Sequence, residues 1–208
     1  MRLKILKLKQ RSMNQSDLLK LSDNTANPAP LGLAGFGLTT ILLNIHNAGL
    51  FPLDTMIVAM GIFYGGLAQV IVGIMEWKKN NTFGTTAFTS YGLFWLSLVT
   101  IWLLPQTGAV EKASPLSMAF YLGLWAVFSL FLFMATLKLT RALQIVFALV
   151  VLLFASLSLA NATGSHIIHT IAGYIGILCG ASALYTGMAQ VINEYFKKAV
   201  LPIHPAKK

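Results

Sequence analysis

An all-α integral membrane protein of six transmembrane helices is the fold class this sequence predicts, and three observations predict it. Of 208 residues, 56% are hydrophobic and only 10% charged, against about 25% charged in soluble globular domains, and the mean hydropathy is +0.72. The apolar residues gather into six runs, each close to the roughly 20 residues that a membrane-spanning helix needs. Basic residues are confined almost entirely to one set of alternating connections, the pattern of a chain that crosses a bilayer repeatedly. Such a composition leaves too little polar surface for a water-soluble fold and no room for a large extramembrane domain.

Taken in order, the first run covers residues 31–50 and is opened by Asn27-Pro28-Ala29-Pro30. Asn is a favoured N-cap and Pro a favoured first-turn residue, so a helix start is sharply marked there. Its free amides and positive dipole end make that start a candidate anion site, with plain capping as the competing reading. The second run, residues 55–75, ends at Glu76, Lys78 and Lys79, which places Glu76 just outside the span. The third covers residues 83–104, and the fourth, 115–137, starts on a proline and closes before Lys138 and Arg141. The fifth and sixth cover residues 142–160 and 166–190.

Six spans place both termini on one side. Fourteen Lys and Arg then share that side: Arg2, Lys4, Lys7, Lys9, Arg11 and Lys20 before the first span, two after the second, two after the fourth and four after the sixth. Lys112 stands alone on the other. The positive-inside rule makes both termini cytosolic, so the net charge of +9 reports topology, and no nucleic-acid partner is expected. Residues 1–26 read as a basic cytosolic arm suited to anionic lipid headgroups, 27–190 as the transmembrane domain and 191–208 as a cytosolic tail. The arm lacks the apolar stretch of a signal peptide. Cys179, the single cysteine, can form neither an internal disulfide nor a multi-Cys metal site, and reads as packing.

No span interior carries Lys, Arg, Asp or Glu, which disfavours a pump driven through buried carboxylates. Polar residues concentrate in the first three spans: Thr39, Thr40, Asn44, His46 and Asn47, then Gln69, then Thr85, Thr86, Thr89 and Ser90. Spans four and five are nearly bare. In lipid such groups either bond to neighbouring helices or line a wet cavity; for Asn44, His46 and Asn47, three polar side chains within one turn, the cavity reading is the better one. His166 and His169 share a helix face at a spacing that suits metal ligands, yet no carboxylate or cysteine nearby completes a site, so no metal is expected. Trp77, Trp95, Trp102 and Trp125 read as packing or lipid-facing residues. Gly61 and Gly65, and Gly176 and Gly180, form GxxxG pairs that allow close helix approach.

Spans one, three and five begin on the cytosolic side near Pro28, Phe83 and Arg141. Eight residues at 1.5 Å reach about 12 Å, near the middle of a roughly 30 Å core. Phe36, Tyr91 and Leu149, with Val150 next to it, lie at that depth. Three bulky side chains from three helices would make a hydrophobic constriction if they face one another.

The segments NPAPLGLAGFGLTTILLNIHNAG at 27–49, MGIFYGGLAQVIVGIMEWKKNNTFGTTAFTSYGLFWL at 60–96 and YLGLWAVFSLFLF at 121–133, with GASALYTGMAQVINE and VLPI near the end, resemble the acetate uptake transporter family, whose bacterial members are succinate–acetate permeases. The resemblance extends from about Asn27 to Ile203. It implies a six-helix protomer in the cytoplasmic membrane, assembled as a homo-hexamer, each protomer with its own pathway for acetate and related small carboxylates. It also implies a narrow gate of Phe, Tyr and Leu: the Phe falls on Phe36, the Tyr of TSYG on Tyr91, and the third position on Val150, with Leu149 adjacent. A methyl group suits an apolar neck, while the carboxylate requires hydrogen-bond donors on either side of it. Candidate donors on the cytosolic side are the start of span one, at Asn27, Gly32 and Leu33, and the hydroxyls of span three; Thr40, Asn44, His46, Asn47 and Gln69 complete the proposed contacts.

Other readings compete. A channel for a small neutral solute such as urea or ammonia would also use a narrow neck. A membrane-embedded enzyme would need clustered carboxylates or a nucleophile beside a base, and the spans offer neither, so no catalytic residue and no cofactor are expected. A scaffold acting through the basic arm would depend on residues 1–26, whereas a transporter should retain flux without them.

Overall fold

The computed structural model describes residues 25–204. Six helices run through it: α1 (Ala29–Asn47), α2 (Thr55–Lys78), α3 (Thr82–Thr107), α4 (Pro115–Thr136), α5 (Arg141–Thr163) and α6 (His166–Phe196). All six are long and apolar enough to cross a bilayer, and no strand occurs among the described residues. The basic arm expected at the start of the chain falls outside the described residues up to position 24.

Short polar side chains set the helix starts. Asp54 accepts from the amides of Met56 and Ile57 at the head of α2, Asn81 from Gly84 at α3, Ser114 from Ser117 at α4, Thr140 from Leu143 at α5 and Ser165 from Ile168 at α6. Each satisfies amides that lack an intrahelical partner. At α1, Asn27 Oδ1 accepts from Ala29 N at 3.1 Å, and Pro30 occupies the first turn. Asn27 Nδ2 donates to Gln190 Oε1 at 3.0 Å, tying the start of α1 to α6 near its end. That end of the bundle carries the starts of α1, α3 and α5 and is called the terminal side; the opposite end is the distal side.

Helix α2 departs from the sequence expectation twice. It continues three residues beyond Met75, so Glu76 lies inside it and is 3% exposed. Asn81 Nδ2 donates to Glu76 Oε2 at 2.7 Å, and Gly84 packs beside the carboxyl, so the start of α3 buries a charge that position alone placed outside the span. The middle of α2, Gly61–Ala68, is a π-helix. Widened turns loosen the carbonyl ladder, and Gln69 Nε2 donates to Gly65 O at 2.7 Å to occupy one of the freed acceptors.

The helices meet in two different ways. Between α1 and α6 the backbones nearly touch: a methyl group added at Gly37 would stand 2.7 Å from the Gly180 oxygen, and one at Gly180 2.6 Å from the Gly37 oxygen. Gly176 opposes Asn44 and Gly173 opposes Ala48 in the same seam. Between α3 and α4 backbone approach is sparse, and aromatic rings fill the gap. Phe94 lies 5.1 Å from Trp125 and 5.8 Å from Tyr121, while Tyr91 lies 5.9 Å from Phe128.

The outer surface is apolar. Phe63, Phe120, Leu124, Phe131 and Ile167 are between 66% and 73% exposed, an arrangement stable against hydrocarbon and not against water. After α6 the chain folds back along the terminal side. Asn193 holds it through Val200 N, Leu201 N and Leu201 O, and Tyr185 donates to Pro202 O. The carbonyls of His204 and Ile203 then accept from Arg141 N and Ala142 N at 2.8 and 3.3 Å, serving first-turn amides of α5.

Candidate functional site

Two cavities lie within the bundle. The distal one has a volume of about 370 Å³ and reaches the surface where exposed Gln106 and Lys112 border it. The terminal-side one has about 30 Å³, room for one or two water molecules. Phe36 is the single residue shared by the two linings, so the cavities meet across its ring.

That meeting point is a cluster of rings. The Phe36 and Tyr91 centroids stand 5.7 Å apart, and Tyr91 is also within 6.4 Å of Trp125, Phe128, Phe147 and Phe154. Tyr91 and Val150 line the terminal-side cavity with Phe36, while Phe94 and Phe154 line the distal one. Equal depth on α1, α3 and α5 thus coincides with a shared facing direction. Of the two α5 positions, Val150 is 1% exposed and borders the cavity, whereas Leu149 is half-buried, packs against the core and borders neither. Ser129 of α4 is fully buried and shares a 2.9 Å hydrogen bond with Tyr91 Oη. Ser129 gives its own proton to the Trp125 carbonyl at 2.7 Å, so the tyrosine is the donor.

The distal cavity is polar along its α1 wall. Thr40, Asn44, His46 and Asn47 all line it. Asn44 Nδ2 donates to Thr40 O at 2.9 Å, Asn47 Nδ2 to Asn44 Oδ1 at 3.0 Å, and His46 Nδ1 lies 2.8 Å from Phe51 O. The three side chains therefore find local partners and border the cavity as well, so the two readings of this group are compatible. His169 joins the lining, its Nδ1 3.3 Å from Asn47 O, while His166 is exposed and does not. Lys112 borders the cavity; Asp54 and Glu111 do not.

The remaining predicted residues are distributed differently. Leu33 and Gln69 line the terminal-side cavity, and Gln69 Oε1 is buried without a partner. Gly32 does not present a free anion site, because the Phe88 ring sits 2.4 Å from where its Cβ would be. Asn27 lines neither cavity and is engaged with Gln190. Thr85, Thr86, Thr89 and Ser90 also line neither; Thr89 packs its hydroxyl on Gly73 of α2, and Thr86 is exposed. Their faces on α3 are turned from the pathway, a direction that span depth does not report. Ser129 was not singled out by the sequence pattern, His169 was weighed only as half of a histidine pair, and Trp95 was read as packing or lipid-facing. The signal for Ser129 was a hydroxyl near the middle of a span whose other small hydroxyls, Ser117 and Thr136, lie at its ends.

The model of the GPR1/FUN34/yaaH family matches residues 11–205. The chain belongs to this family. The GPR1/FUN34/yaaH relatives include the succinate-acetate/proton symporter SatP of Escherichia coli (strain K12), 57% identical over 86% of this chain and 95% of that protein. A solved structure of the bacterial acetate channel SatP superposes with a TM-score of 0.86 at 57% identity, covering 86% of this chain and 99% of the other. A more distant relative is the ammonia transport outward protein 2 of Saccharomyces cerevisiae (strain ATCC 204508 / S288c), 38% identical over 86% of this chain and 66% of that protein. This GPR1/FUN34/yaaH chain is accordingly a multi-pass cell-membrane protein of the all-α class.

Proposed function

We propose that the protein is a membrane channel or permease for acetate and related small carboxylates, succinate included. The observation that carries this reading is the break at Phe36: a distal cavity with a polar α1 wall and a small apolar one separated by a ring cluster. The relatives named for acetate stand at 57% identity and the one named for ammonia at 38%, which favours the carboxylate over a neutral solute. Both termini are assigned to the cytosol on the distribution of Lys and Arg. The resemblance supports a homo-hexamer with one pathway per protomer.

The geometry suggests how a carboxylate is handled. Lys112, the one basic residue assigned to the outer side, borders the distal cavity and attracts the anion. Asn44, His46 and Asn47 keep the approach wet. At Phe36 and Tyr91 an ionised group would lose its hydration against apolar rings, at high cost. A carboxylate that takes up a proton crosses as the neutral acid, with its methyl group against the rings. Uptake then carries a proton with each acetate, and no intramembrane carboxylate relay is required.

Purified protein in liposomes should pass labelled acetate well above empty vesicles, and Phe36→Trp should lower that flux at least tenfold. Urea flux that ignores acetate, with acetate itself excluded, would overturn the assignment.

A further inference from the structure

Three positions before each constriction residue stands a second bulky apolar side chain. Leu33 precedes Phe36 on α1, Phe88 precedes Tyr91 on α3 and Phe147 precedes Val150 on α5. Three residues rise about 4.5 Å along a helix and return to nearly the same face, so the second trio forms a layer on the terminal side of the first. All six residues line the terminal-side cavity. Its volume of about 30 Å³ takes one or two water molecules and not the four heavy atoms of acetate. A solute that has passed Phe36 and Tyr91 therefore advances only when a side chain of this layer moves.

The three are not held alike. Leu33 and Phe147 are each 5% exposed and belong to the core, and the Phe147 ring stands 5.2 Å from Phe83 and 6.1 Å from Tyr91. Phe88 is half-buried and packs at the edge of that core. Its seat is Gly32: a methyl group there would stand no more than 2.9 Å from three atoms of the ring. Every other residue type carries that carbon, so only glycine at position 32 lets the ring lie against α1. Capping accounts for Asn27 and the prolines of the same segment and leaves its glycine unexplained. The ring is the flexible partner of the contact, turning about two side-chain torsions, whereas Leu33 and Phe147 are enclosed.

We propose that Phe88, seated on Gly32, is a second and movable closure of the pathway, in series with the constriction at Phe36 and Tyr91 and on its terminal side. The proposal rests on the transport reading above. With the ring on Gly32 the space between the two layers holds water only. With the ring swung away, the same space gains the volume of a phenyl group and takes a small monocarboxylic acid. Phe88 offers the solute no hydrogen bond and acts by the volume it occupies. Two closures in series pass a solute without a water-filled pore spanning the bundle, which holds back hydrated ions.

The test uses two measurements. In a chain carrying Cys179→Ala and Val150→Cys, a charged methanethiosulfonate applied from the terminal side of oriented vesicles should react at least tenfold faster once Phe88→Ala is added. Phe88→Leu, the milder truncation, should accelerate it severalfold, and Leu93→Ala, on the exposed face of α3, should leave the rate unchanged. Independently, Gly32→Ala should lower acetate flux in liposomes at least fivefold, because the added methyl group drives the ring toward the cavity. In the Phe88→Ala background the same substitution should change flux less than twofold. A labelling rate that ignores position 88, or equal losses from Gly32→Ala with and without the ring, would overturn the closure. Accelerated labelling in a chain that passes no acetate would uphold the closure and remove the transport reading instead.

Discussion

The seam between α1 and α6 and the gap between α3 and α4 solve the same packing problem with opposite materials. In the first, glycines bring backbones into contact, and the Gly37 and Gly180 carbonyls leave no room for a methyl group. In the second, side chains fill the space: Phe94 and Tyr121 stack face to face, and Tyr91–Phe128, Phe94–Trp125 and Trp125–Phe128 meet edge to face. Backbone contact has one solution, whereas rings pivot about their side-chain torsions. The cavities border the second region, and Phe36 brings the rigid seam to its edge. The difference teaches that the bundle is held from one side and adjustable on the other.

The largest effect should come from breaking the rigid side. Gly180→Val drives a branched side chain into the Gly37 carbonyl and Ile41, where nothing flexible yields. Loss of monodisperse protein after detergent extraction is expected, and a normally folded, active variant would refute the contrast. On the adjustable side, enlargement at α5 should act on transport instead of folding. Val150→Phe should cut acetate flux at least tenfold, while Leu149→Phe, one residue away, should stay within about twofold in the same vesicles. Equal losses would remove the distinction between the two positions. Smallest is Ser129→Ala, which takes away the acceptor of the Tyr91 hydroxyl. One hydrogen bond is worth about 1 kcal/mol, so the thermal midpoint should fall by roughly 2–4 °C, with flux changed by less than threefold.

The helices were legible because their starts are written in capping residues and prolines. Depth was legible too, since a helix rises by a constant step, and it put Phe36 and Tyr91 at one level. Direction was not. Thr85, Thr86, Thr89 and Ser90 share the depth and composition of a pathway wall, yet the rotation of α3 turns them elsewhere. The π-helical stretch of α2 leaves no mark that hydropathy can read, and it is what seats Trp95 and engages Gln69. Glu76 was placed just past the end of the span, beside Lys78 and Lys79, while its burial depends on Asn81 and Gly84 of the next helix.

The fold-back of residues 200–204 bears on how the protein is made. Two amides at the head of α5 receive their acceptors from Ile203 and His204, residues synthesised only after α6 is complete. During biogenesis α5 enters the membrane with an unfinished start, and the last event in its assembly is the arrival of the tail. A reporter fused directly after Ile203 would compete with that step, so a tag belongs beyond the strap, on a spacer long enough to let it dock.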